Sequence, residues 1–262
     1  MRNKIEKPLV LCEDLRKGIA ELAHAAGTVY GTGRQVQYQT SPGVYSAAAS
    51  FSELLQQAAF SECHLARAAS VLRGAALPGD GVKTALILLD ALLERGIGLP
   101  DADWRQVSDM LAYGVEYTKR AAAENDGKVV GGGLMLLTLC RPILKYGRDH
   151  RCEQSANILA YALTQPMLRL AEAAGFDGYE VYERVKTLAP NQFFSLHQVG
   201  IERSIRVDAA HTDEVSVGLN IREGKIQNLK EQALLEPVET TQEILRFTDH
   251  ALTDLLNIAC II

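Results

Sequence analysis

Residues 77–84, Leu-Pro-Gly-Asp-Gly-Val-Lys-Thr, lie between two stretches that read as helices, and no other stretch constrains the chain as strongly. Upstream, residues 51–74 are rich in Ala, Leu and Glu; downstream, residues 85–95 form a compact apolar run that stops at Gly96. The loop therefore feeds a helix N-terminus, where free backbone N–H groups and the positive end of the helix dipole favour anionic oxygen. Gly79 and Gly81 allow close backbone approach, and Asp80 is a candidate ligand for a divalent cation. A plain helix–loop–helix turn with an exposed aspartate accounts for the same residues.

The rest of the chain limits the choice. With 262 residues, 47% hydrophobic and 23% charged, it can build one large domain or two small ones around a proper core. A net charge of -5, with basic residues scattered rather than striped, argues against a nucleic acid or an anionic membrane surface as main partner. No apolar run has the length of a signal peptide core or of a bilayer span. Five cysteines, Cys12, Cys63, Cys140, Cys152 and Cys260, contain no C-x-x-C pair, which points to reduced thiols and a cytoplasmic location. Cys63-His64 and His150-Arg151-Cys152 put soft ligands side by side. A zinc site needs about four converging ligands, and adjacent residues rarely aim at one ion, so no metal is expected there.

Residues 4–10 read as a short strand, and Leu11, Leu15, Ile19 and Leu22 then share one face of a helix that ends near Gly27. A second glycine turn, residues 28–34, precedes an alternating strand at residues 35–39. Neither glycine loop meets a nucleotide fingerprint: there is no G-x-G-x-x-G, and Gly79–Thr84 lacks the glycine before lysine of a P-loop. A long helix is expected over residues 47–73, another from Pro100 with acidic residues in its first turn, and a polar stop at residues 124–127. Gly131-Gly132-Gly133 opens an apolar helix through Leu144. Pro166 is expected to kink or divide the next helix, residues 153–174, and residues 179–188 read as one more. Alternation at Val199–Val207 and Val215–Leu219 predicts a β-hairpin; residues 234–237 read as a turn before a helix at 240–256.

Taken in order, these motifs resemble the equatorial domain of the group I chaperonins, the GroEL type. Residues 78–85, PGDGVKTA, are similar to the family's AGDGTTTA phosphate loop, and residues 129–133, VVGGG, resemble its VVAGGG segment. Gly218-Leu219-Asn220 and residues 234–241, LLEPVETT, resemble the GYN and ILDPTKVT segments that hold base and ribose. Residues 164–169, TQPMLR, stand where the family has EAPLRQ, so the similarity runs from about Asn3 to the end.

The resemblance implies a mainly α fold: one equatorial-like helical bundle over 1–262, built from two sequence halves (about 1–124 and 128–262), with a small β-hairpin and short edge strands. It implies ATP or ADP with magnesium as cofactor. The nucleotide-binding residues it carries over are Gly31, Gly79, Asp80, Gly81, Lys83, Thr84, Gly131, Gly132, Asn220 and Glu236, with Asp80 as the metal ligand. The family's apical and intermediate domains have no counterpart between residues 124 and 129, and the catalytic aspartate goes with them. A second family carboxylate, in a TKDG segment, falls on Thr40-Ser41-Pro42-Gly43 and is replaced by proline. Hydrolysis by the family mechanism is therefore unsupported, since a group positioning water must be within hydrogen-bond reach of it. Val82 and Lys83 replace two threonines; Lys83 either supplies charge beside phosphate or is a solvated lysine at a helix start. The loop that reaches a neighbouring subunit is shortened between Arg34 and Gly43, while residues 189–217 form an enlarged insertion, either a docking element or a tolerated surface hairpin.

Three functions compete: a chaperonin-like nucleotide-binding scaffold or assembly factor without a client-binding domain, a weak magnesium-dependent ATPase, and a structural module with a decayed pocket. The first is the expectation, with a protein partner or self-association and no nucleic acid or membrane.

Overall fold

The computed structural model describes residues 13–31, 35–48, 50–75, 81–96, 98–123, 125–188 and 216–259. The expected strand at 4–10, Gly79 and Asp80 of the glycine loop, nearly all of the 189–217 insertion and the apolar C-terminal residues 260–262 lie outside them. Among the described residues the fold is mainly helical, with three two-stranded antiparallel sheets at its margins.

Helix α4 (Val82–Arg95) is the axis of the core. Val82, Leu86, Ile87, Leu88, Leu89, Ala91, Leu92 and Leu93 are all buried, so the helix is apolar around most of its circumference and must be enclosed. Helices α1 (Glu13–Thr28), α7 (Glu153–Ala173) and α9 (Val238–Ala259) enclose it. Of the predicted face of α1, Leu15, Ile19 and Leu22 are buried against this core, and Leu11 lies outside the described residues. Gly96 ends α4, donating its N–H to the Leu92 carbonyl oxygen at 2.8 Å. It also admits Trp104, because a Cβ on Gly96 would lie 2.2 Å from the indole ring.

The expected helix over 47–73 is broken. Strands β1 (Val36–Ser41) and β2 (Val44–Ala48) form a hairpin, followed by α2 (Phe51–Gln57) and α3 (Cys63–Gly74). Ser50 caps α2 by accepting the Glu53 N–H at 3.1 Å. The break after α2 has a visible cause: Ala58 is extended, and the Ala59 N–H bonds to Gln39 of β1 at 2.8 Å instead of continuing the helix. His64 of α3 does not pair with Cys63; its Nε2 lies 2.9 Å from Glu21 Oε2 on α1 and 3.4 Å from Glu62 Oε2.

Helix α5 (Asp101–Ala123) packs on α9, and α6 (Leu134–Asp149) on α7. Pro166 does not divide α7, which runs unbroken from Glu153 to Ala173. A proline inside a helix costs about 3 kcal/mol, but burying Leu163, Met167, Leu168 and Leu170 along the same segment contributes about 1.5–3 kcal/mol each. Helix α8 (Gly178–Leu188) follows.

The predicted strand at Val215–Leu219 overlaps β4 (Val217–Asn220), which pairs with β5 (Lys225–Asn228) across a tight turn; the expected partner at Val199–Val207 lies outside the described residues. The turn expected at 234–237 is strand β6 (Leu235–Pro237), paired with β3 (Lys128–Val130). Both hairpin strands and β6 are short, so alternation gave little signal. Between α5 and β3 the chain turns through residues 125–127, with the Asn125 and Gly127 N–H groups both donating to the Ala122 carbonyl at 3.0 Å. No helix among the described residues is long and apolar enough to cross a membrane.

Candidate functional site

Three helices begin at one cavity of about 340 Å³. Gly81 and Thr84 come from the start of α4, Gly132 and Gly133 from the start of α6, and Thr240 from the first turn of α9. Gly81 and Gly133, the N-cap residues of α4 and α6, carry no side-chain cap. Helix starts without side-chain caps leave N–H donors and the positive dipole end to be met by something else, and an anion meets both.

Glycine sets the geometry of the α6 entry. Gly132 and Gly133 have φ of 69° and 78°, a left-handed conformation that side chains disfavour. A Cβ on Gly133 would also stand 3.2 Å from the Met167 backbone nitrogen on α7. Gly131 is not itself among the lining residues but holds the rim, donating its N–H to the Leu234 carbonyl at 3.0 Å. A Cβ added there would be 3.5 Å from Glu236 Oε2.

Asn220 and Glu236 supply the polar side chains opposite. Asn220 is buried at the end of β4, and its Oδ1 accepts the Arg222 N–H at 3.0 Å, which shapes the turn into β5. Glu236 lies on β6 and accepts a bond from the Thr241 hydroxyl at 3.2 Å. Burial pushes its carboxyl above the usual range, and the Thr241 bond opposes that shift. Leu136, Leu170, Leu219, Ile221, Leu229 and Leu234 complete apolar walls.

Tyr30 enters from the end of α1. Its hydroxyl lies 2.7 Å from Thr84 Oγ1 in the first turn of α4. Burial, with the Glu236 carboxylate adding to it, holds the Tyr30 phenol up at about 12, so the ring is neutral at any physiological pH.

Of the residues singled out from sequence, Gly81, Thr84, Gly132, Asn220 and Glu236 are brought together here. Gly31 is not on the lining; its φ of 65° turns the chain after Tyr30, and a Cβ there would sit 2.4 Å from Leu170 Cδ1. Lys83 is half-buried and also off the lining. Gly79 and Asp80, the proposed metal ligand, lie outside the described residues. Tyr30, Gly133 and Arg222 line the cavity without having been singled out. Tyr30 and Gly133 each stand beside a nominated glycine, which is the signal that pointed nearest to them.

The residues present fit a nucleotide with its phosphates: convergent helix starts for anionic oxygen, a carboxylate able to accept ribose hydroxyls, and apolar walls for a base. A larger groove of about 530 Å³ between α1, α4 and α7 is lined by Asp90, Glu94 and Glu172 with Arg169, and it has no helix start facing it among its lining residues. The family model of the TCP-1/cpn60 chaperonin family matches residues 98–262. That span holds Gly131, Gly132, Asn220 and Glu236, while Gly31 and residues 79–84 precede it.

Proposed function

The chain belongs to the TCP-1/cpn60 chaperonin family, and from that premise we propose that it is a chaperonin-like nucleotide-binding scaffold or assembly factor. The observation that carries this reading is the meeting of the α4, α6 and α9 starts at one cavity with Asn220 and Glu236. Gly81, Thr84, Gly132 and Gly133 would hold the phosphates of ATP or ADP, and Glu236 the ribose. Asp80, next in sequence to Gly81, would hold magnesium. When bound, magnesium supplies charge neutralisation for the phosphate oxygens. Binding rather than turnover is proposed, because the resemblance leaves no counterpart for the carboxylate that would position water, and Glu236, the carboxylate among the described lining residues, is read as the ribose contact. Tyr45 and Val44, 67% and 52% exposed at the tip of the β1–β2 hairpin, support docking to a protein partner or a second copy.

The test is thermal unfolding with ADP or ATP and magnesium. A ligand at a thousand times its Kd stabilises by about 4 kcal/mol, so micromolar binding at millimolar ligand is easily read. The melting temperature of the wild type rises and that of Asp80→Ala does not. No shift in the wild type defeats the nucleotide reading.

A further inference from the structure

We infer that Glu21, Glu62 and His64 form a binding site for a divalent transition-metal cation of the zinc class, where α1 meets the start of α3. None of the three lines the cavity described above, and the inference does not depend on the nucleotide reading. Their ligating atoms all lie within 4.8 Å of one another. His64 Nε2 is 2.9 Å from Glu21 Oε2 and 3.4 Å from Glu62 Oε2. Such separations suit atoms that share an ion: ligand bonds of about 2.0–2.2 Å at tetrahedral angles put neighbouring ligands about 3.4 Å apart.

A hydrogen bond alone does not account for this arrangement. Nε2 of an imidazole carries at most one proton, yet two carboxylate oxygens face it. The proton serves one of them and leaves the other beside a second negative charge. A dication serves all three ligand atoms, and its charge matches the two carboxylates. Glu62 is the N-cap residue of α3, but its side chain makes no cap and is turned to His64 instead. Lys17 takes the other oxygen of Glu21, Oε1, at 3.8 Å, which leaves Oε2 to His64.

The imidazole is held and the carboxylates are reachable. The His64 side chain is 11% exposed, and α1 and α3 pack so closely that a Cβ on Gly18 would overlap the His64 carbonyl oxygen. Glu21 and Glu62 are 43% and 62% exposed, so an ion arrives from solvent and the carboxylates close on it. The donor set chooses the ion: imidazole nitrogen with carboxylate oxygen suits zinc and its neighbours, whereas magnesium and calcium take oxygen ligands. Cys63, next in sequence, is not in the group, so three protein ligands leave a fourth position to water. On binding, the ring proton moves from Nε2 to Nδ1 through solvent, and Nε2 gives its lone pair to the metal.

The experiment is calorimetric titration of the chelator-treated chain with zinc chloride, without nucleotide, on wild type, Glu62→Gln, His64→Ala and Cys63→Ser. Wild type binds zinc. Glu62→Gln, a change on an exposed side chain, weakens binding at least about tenfold, since loss of a mere outer-shell partner already costs about 10–100-fold. His64→Ala abolishes binding while the helical circular dichroism stays unchanged; if that variant loses helix, Glu62→Gln decides alone. Cys63→Ser binds as wild type does, and magnesium in large excess leaves zinc bound. No zinc binding by wild type overturns the inference. Equal affinity in wild type, Glu62→Gln and His64→Ala overturns it too, by putting the zinc elsewhere. Loss of binding in Cys63→Ser, or displacement by magnesium, overturns the assigned donor set. None of these outcomes bears on the nucleotide reading, which the thermal shift with ADP or ATP tests.

Discussion

Gly133, at the start of α6, is pressed against the backbone of Met167 on α7, and the two helices meet there without an intervening side chain. Its φ of 78° makes the position costly for any other residue by about 1–2 kcal/mol, before crowding is counted. Gly133→Ala is expected to lose about 2–3 kcal/mol, read as a lower urea midpoint with an unchanged slope. Gly43, with φ of 80° and nothing within 4 Å of an added Cβ, is the control. Gly43→Ala loses only the conformational part, and equal losses at the two sites would show that the Met167 contact is unimportant.

Asn220 should report on fold and ligand separately. Replacing it with alanine removes the bond from the Arg222 N–H and costs about 1 kcal/mol of stability. The larger expected effect is on the thermal shift with ADP and magnesium, which disappears. A shift of wild-type size in Asn220→Ala would remove this residue from the ligand contacts.

A pH dependence follows from Asp90, which faces the groove between α1, α4 and α7. Burial, then repulsion from Glu94, pushes its carboxyl up; Arg169, Arg16 and His24 oppose the shift without cancelling it. A carboxyl raised in the folded state binds its proton more tightly there than in the unfolded chain. It therefore contributes stability below the ordinary carboxylate range, and that contribution is lost as pH rises through the raised folded value. Glu236 has the same sign. Asp90→Asn removes one of the two titrations: it is expected to melt higher than wild type at pH 7, with the gap closing by pH 4. A gap that widens on acidification would mean that Asp90 is stabilised by Arg169 rather than strained by burial.

At the β1–β2 tip, Val44→Ser with Tyr45→Ser is expected to leave the melting temperature within the small range typical of surface changes, about 0.5 kcal/mol. Light scattering of the double variant then shows a lower molar mass than wild type at equal concentration. Equal masses would take the hairpin tip out of the self-association surface.

The central helices were legible from sequence wherever apolar spacing was long and regular. Leu15, Ile19 and Leu22 fell on one face because helix period and burial agree, and the Gly96 stop marked the end of α4 within a residue. The break at Ala58 was not legible, since it depends on the Gln39 carbonyl taking the Ala59 N–H, a contact between residues distant in the chain. The pairing of β4 with β5 went unread for a related reason: four-residue strands give too few alternations to stand out, and the expected partner at Val199–Val207 lies outside the described residues. At the site, glycines marked the helix starts by their necessity in the backbone. Tyr30 carried no such mark; only the packing of α1 against α4 shows that its hydroxyl reaches Thr84, 54 residues away.

The turn at residues 125–127 has a mechanical meaning. Two amides close on one carbonyl, that of Ala122, and the Val238 N–H donates to the Gly127 carbonyl at 3.0 Å, fastening α9 to the same point. A junction tied in this way acts as a weld and not as a bearing: α5, β3 and α9 are locked where a hinge would need slack.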